Sequence, residues 1–70
     1  MNKIVIIGGG GHCRVIISIL QKLNKWEIAG YTDLIDNGDI LGVPYIGKDE
    51  ILPALFEKSG VRHAVIGLGQ

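Results

Sequence analysis

Four consecutive glycines, Gly8 to Gly11, separate a run of β-branched residues, Lys3–Ile7 (KIVII), from an amphipathic segment that opens at His12. An apolar run without alternation reads as a strand covered on both faces. Delivering such a strand through glycines into a helix sets bare backbone N–H groups at a helix N-terminus. There the aligned peptide dipoles add partial positive charge. A Cβ would hold an anion away from those amides, and four glycines exceed what turning the chain requires. Gly8, Gly10 and Gly11 therefore read as parts of a phosphate-binding loop. The match to G-x-G-x-x-G is partial: Gly8 and Gly10 fit, and Cys13 takes the third place, where a small residue lets helix pack on strand. No G-K-[ST] ending follows, so the loop is not a P-loop.

The rest of the chain alternates in the same way. Residues 12–25 (HCRVIISILQKLNK) carry apolar residues at Ile16, Ile19, Leu20 and Leu23, widened by Val15 and Ile17, which predicts a helix with that stripe inward. Asn24 and Lys25 suit its end. Trp26–Thr32 (WEIAGYT) predicts a second strand ending at Asp33, and residues 33–42 a loop marked by Asn37-Gly38. Val43–Ile46 (VPYI) predicts a short third strand at a sheet edge, because Pro44 cannot donate a ladder hydrogen bond. Lys48–Ser59 predicts a second helix with Ile51, Leu52, Leu55 and Phe56 inward, Pro53 near its first turn and Gly60 as its cap. Arg62–Leu68 predicts the last strand.

This order implies parallel strands joined by right-handed crossovers. The expected fold is α/β, a Rossmann-like parallel sheet in the order 3-2-1-4 flanked by helices, in one small domain spanning residues 1–70. The ligand crevice is expected between the first and last strands, where the winding reverses.

Composition removes several functions. Seven basic and seven acidic residues balance and no basic run occurs, which excludes a nucleic-acid-binding face. No stretch approaches the ~20 apolar residues needed to insert across a membrane. The apolar run before the glycines is too short for a signal peptide. Cys13 is the only cysteine, so no intrachain disulfide forms, which fits a cytoplasmic setting. Seventy residues allow only a thin core.

The candidate site residues follow from position. His12, in the first turn beside the expected phosphates, is favoured as a hydrogen-bond donor to phosphate or sugar. Asp33 ends the second strand about twenty residues after the loop. It reads either as a ligand of ribose hydroxyls or as a turn-forming Asp. Gly67 and Gly69, at the end of the last strand, either admit a ligand close to the backbone or only turn the chain. His63 reads as solvated and Cys13 as a packing residue. No third group orients either histidine as in a triad, and no metal-ligand spacing occurs, so neither a catalytic nor a metal site is expected.

KIVIIGGGGH, the downstream GYTD, the LGVPYIG stretch before a helix and the AVIGLG strand together resemble one family, the N-terminal domain of PglD/NeuD-type sugar acyltransferases. The resemblance runs through almost all seventy residues. It implies a domain that binds a UDP-linked amino sugar, followed by a left-handed β-helix of hexapeptide repeats that forms a homotrimer and binds acetyl-CoA. By motif, Gly10, Gly11 and His12 would touch the sugar nucleotide's phosphates and sugar. Asp33 would lie near the uridine, and Ile66 and Gly67 would line the opposite wall. Cys13 stands where the family usually has glycine. The repeats, with the family's catalytic histidine, would follow Gln70, so these seventy residues alone are expected to be catalytically silent. Two other readings stand beside this one: an NAD(P)-binding module of an epimerase or dehydrogenase, and a non-catalytic nucleotide-sensing or assembly domain. Finally, the apolar last strand sits at a sheet edge in the expected order, so the chain is expected to self-associate as a dimer through it.

Overall fold

A computed structural model of the chain describes residues 2–67. Four parallel strands form one sheet: β1 (Asn2–Ile7), β2 (Trp26–Thr32), β3 (Tyr45–Gly47) and β4 (His63–Ile66). Their order is β3-β2-β1-β4. Helix α1 (Cys13–Leu23) links β1 to β2, and a 3-10 turn at Asp49–Ile51 leads into α2 (Leu52–Lys58) before β4. The fold is the α/β Rossmann-like one that the alternation of apolar runs implies.

Parallel pairing needs a crossover between strands, and each crossover here covers one face of the sheet. On one face Ile4 and Ile6 of β1 and Tyr31 of β2 meet Cys13, Ile17 and Leu20 of α1, all buried, with Ile16 partly buried against them. The inward stripe of α1 is thus 13-16-17-20. Ile19 and Leu23, expected inward, are exposed, and so is Val15. The helix is apolar on two adjacent stripes, and the small thiol of Cys13 lets the first of them approach the sheet. Asn24, with φ +53°, ends the helix in the left-handed conformation that Asn tolerates.

The segment after β2 completes this face. Ile40 and Val43 exchange two backbone hydrogen bonds of 2.9 Å around a two-residue turn, with Leu41 at φ +51° and Gly42 at φ +85°. Both Ile40 and Val43 are buried. Val43 therefore belongs to this hairpin rather than to β3. The Pro44 carbonyl accepts from the Tyr31 N–H at 3.0 Å, and the strand begins only at Tyr45.

The opposite face is thinner. Val5 and Val61 are buried, and Lys3 Nζ donates to the Ser59 carbonyl at the end of α2. No residue of α2 is buried. Ile51, Leu52 and Leu55 are half-buried and Phe56 is exposed, against the inward orientation expected of all four. A seven-residue helix is about 10 Å long and cannot roof four strands that together span about 14 Å. The carboxyl end of β4 shows the result. Val65 shares a face with Ile6 and packs on the α1-side core, whereas Ile66, beside Ile7, is 65% exposed. The last strand is thus covered on one face, not two. Leu68 and Gly69 lie outside the described residues.

Candidate functional site

The carboxyl ends of β1, β2 and β3 bring the glycine loop, Asp33 and Asp49 to one edge of the sheet. At Gly8, φ is +101°, and its N–H donates to the Thr32 carbonyl at 2.7 Å. The Gly9 N–H donates to Asp33 Oδ2 at 3.0 Å. Both amides are therefore engaged inside the protein. A Cβ on Gly9 would stand 2.7 Å from the Tyr31 ring, so packing alone requires glycine there. Gly11 differs: a Cβ there would meet nothing within 4 Å. Gly10, Gly11 and His12 are exposed. Helix α1 starts directly after them, with no capping side chain and no acidic residue in its first turn. That end of the helix carries partial positive charge, to which Arg14 adds and which the Asp33 carboxylate partly offsets, since both act on Cys13.

Asp33 organises the next loop. Its Oδ1 accepts from the Leu34 N–H at 2.7 Å, and its Oδ2 from Asn37 Nδ2 at 3.4 Å as well as from Gly9. Tyr45 Oη donates to the Asp33 carbonyl at 3.0 Å. Tyr31, fully buried, holds the far side of the same loop: its hydroxyl donates to the Gly38 carbonyl at 2.7 Å and accepts from the Asn37 N–H at 3.0 Å. Burial pushes the Tyr31 hydroxyl pKa up from its ordinary value.

Between these elements lies a cavity of about 290 Å³, lined by Ile7, Gly8, Thr32, Asp33, Leu34 and Asp49. It sits over β1 and β2, one strand away from the crevice expected between β1 and β4. Gly67 explains the displacement. Its N–H donates to the Ile7 carbonyl at 2.7 Å, and a Cβ on it would stand 2.7 Å from the Gly8 carbonyl oxygen. The two backbones meet there and leave no gap. Thr32, the buried polar residue of the core, donates its hydroxyl to Asp49 Oδ1 at 2.7 Å and so fixes one carboxylate at the cavity wall.

Of the residues marked in the sequence, Gly8 and Asp33 line this cavity, and Gly10, Gly11 and His12 stand beside it at the start of α1. Ile66 and Gly67 lie on the β4 side and outside it. Thr32 and Asp49 were missed. A Thr ending an apolar strand, and an Asp two residues after Gly47 where the chain turns into a helix, are the signals that mark them. Cys13 is buried, and its thiol pKa is raised, first by burial and then by the nearby charge of Asp33. Its place at a helix N-terminus does not make it a thiolate. His63 lies at the far end of the sheet, edge-to-face with Trp26 at 5.0 Å between ring centres. Among the described residues no three His, Cys, Asp or Glu side chains group as a metal site, and no helix is long and apolar enough to cross a membrane.

The model of the PglD N-terminal domain family matches residues 3–70. Among solved structures, the chain is similar to a mutant of perosamine N-acetyltransferase from Caulobacter crescentus in complex with CoA and GDP-perosamine. The two share 35% sequence identity and a TM-score of 0.85 over 97% of this chain, which spans 31% of that one. No curated protein sequence matches the chain.

Proposed function

The chain belongs to the PglD N-terminal domain family, and from that premise we propose that it is the sugar-nucleotide-binding domain of a sugar acetyltransferase. It holds a nucleoside diphosphate-linked amino sugar, and acyl transfer takes place elsewhere in the whole protein, which serves bacterial glycan or glycoprotein synthesis. One observation carries this reading: the edge of the sheet is divided electrostatically. The start of α1, with no capping side chain, no acidic residue in its own first turn and Gly10, Gly11 and His12 exposed, suits a diphosphate. The adjoining cavity, with the Asp33 and Asp49 carboxylates on its wall, suits the uncharged nucleoside. In this reading Asp33 serves the ribose hydroxyls while keeping the loop in shape, His12 donates to a phosphate or the sugar, and Ile66 and Gly67 bound the site on the β4 side.

No group of this domain is assigned a catalytic role. Acetyl-CoA, the donor in this proposal, does not fit here. The cavity is small for it, and two carboxylates would oppose its three phosphates. The donor site belongs to the remainder of the whole protein.

The resemblance in the sequence points to a uridine nucleotide, and the solved relative carries a guanosine one. Either sugar nucleotide should raise the melting temperature of the domain, and NAD should not. A ligand at one hundred times its dissociation constant adds about 2.7 kcal/mol to stability. A thermal-shift series at millimolar ligand checks this. A shift with NAD and none with any diphosphate sugar would reject the reading in favour of a dinucleotide module.

The same proposal includes trimerisation of the whole protein and, for this chain alone, a dimer through β4. Among the described residues β4 pairs only with β1, and the exposed Ile66 sits on it. Light scattering at tens of micromolar should give twice the monomer mass. A strictly monomeric solution would show that this edge is protected.

A further inference from the structure

The cavity contains more information than a nucleoside in general requires. We propose that Asp49 selects the base of the nucleotide, and that the base it selects is guanine. The inference rests on the sugar-nucleotide reading above and adds the identity of the base to it.

Two carboxylates on one small wall disfavour any anionic part of the ligand, which leaves the diphosphate to the start of α1 and the neutral base or ribose to the cavity. The two carboxylates are not equivalent. Both oxygens of Asp33 already accept hydrogen bonds, from Leu34 and Asn37 of its own loop and from Gly9 of the glycine loop. Asp49 accepts only one among the described residues, from Thr32 into Oδ1. A carboxylate offers about four acceptor positions, so Asp49 keeps capacity on both oxygens. Thr32 is fully buried, so the hydroxyl that holds Asp49 is itself fixed, and the carboxylate is held in place before a ligand arrives. Ile7 and Leu34 are the apolar side chains of the lining.

An acceptor pair of this kind reads donors. Guanine presents two adjacent donors on its pairing edge, the ring N–H and the exocyclic amino group, which match the two oxygens of one carboxylate. Uracil offers a single N–H flanked by two carbonyl oxygens, and those would face the carboxylate unfavourably. Adenine and cytosine each set a ring acceptor beside their amino group, with the same consequence. Of the common bases, guanine alone pairs with Asp49 through two bonds.

Calorimetric titration of the chain with GDP, UDP, ADP and CDP tests this without any substitution. GDP should bind about tenfold or more tightly than each of the others, the discrimination typical of a bidentate base contact. In Asp49→Asn the affinity for GDP should fall about tenfold and that for UDP should stay within twofold. Asp49 is exposed, so the fold should survive, and a melting curve checks that it does. Equal affinities for GDP and UDP in the unsubstituted chain would overturn the proposal. So would an equal loss of both in Asp49→Asn, which would assign Asp49 to the ribose. Failure of all four nucleotides to bind would remove the sugar-nucleotide reading itself, and this inference with it.

Discussion

Gly67→Ala should lower the stability of the domain by about 3 kcal/mol, the upper end of what overpacking costs, and leave much of it unfolded at room temperature. The added methyl group would lie 2.7 Å from the Gly8 carbonyl oxygen and 2.9 Å from Ile6 Cγ2. Neither neighbour can retreat. Ile6 is fully buried in the centre of the sheet, and Gly8 is tied to Thr32 by a 2.7 Å hydrogen bond. Gly67 is itself bound to the Ile7 carbonyl, so the strain would pass into the pairing of β4 with β1. A domain of this size has little stability in reserve. Urea unfolding followed by circular dichroism measures the change. A wild-type midpoint would mean that the approach of β4 to the glycine loop is not tight.

Gly11→Val should do the reverse: leave the fold intact and remove ligand binding. The new side chain meets no protein atom within 4 Å of its Cβ, and Gly11 is not held at positive φ, so the backbone accepts a branched residue there. The open space it fills is where a phosphate would approach the start of α1. Affinity for the best diphosphate nucleotide should fall about 100-fold, near 2.8 kcal/mol. Melting temperature and calorimetry on the same sample separate the two effects. A folded Gly11→Val protein with undiminished affinity would show that the glycines at 10 and 11 only turn the chain. Taken together, the two substitutions distinguish glycines that the protein needs for itself from those it keeps open to a ligand.

The fold was legible because its signals were strong and local. Trp26–Thr32 is a strand over the expected residues, and KIVII followed by glycines could only enter a helix from the end of a central strand. The inward face of α1 was less legible, because Ile16, Ile17 and Leu20 compete with Val15, Ile19 and Leu23 at the same helical spacing. The small Cys13, packed under the β1–β4 contact, settles that competition, and periodicity does not weigh residue size. The third strand begins two residues later than expected because Val43 looks like strand but pairs locally with Ile40. The cavity lies over β1 and β2 rather than at the reversal of winding between β1 and β4, because there the Gly8 carbonyl fills the place of the side chain that Gly67 lacks. Thr32 and Asp49 each leave a local signal, but their pairing across seventeen residues does not, and it is the pairing that fixes Asp49 at the cavity.

The contact between Trp26 and His63 has a practical consequence. Trp26 is the sole tryptophan and begins β2, whereas the cavity lies at that strand's other end, about 20 Å away. Its indole emission is set by the packing of the two strand starts, β2 and β4, on the α1 side of the sheet. Fluorescence from this chain is therefore a built-in gauge of whether β4 has docked. It should be indifferent to nucleotide, and any quenching by nucleotide at saturating concentration would mean that the far end of the sheet senses the site. An optical signal that follows assembly of the sheet and ignores the ligand gives each binding measurement on this chain its own internal control.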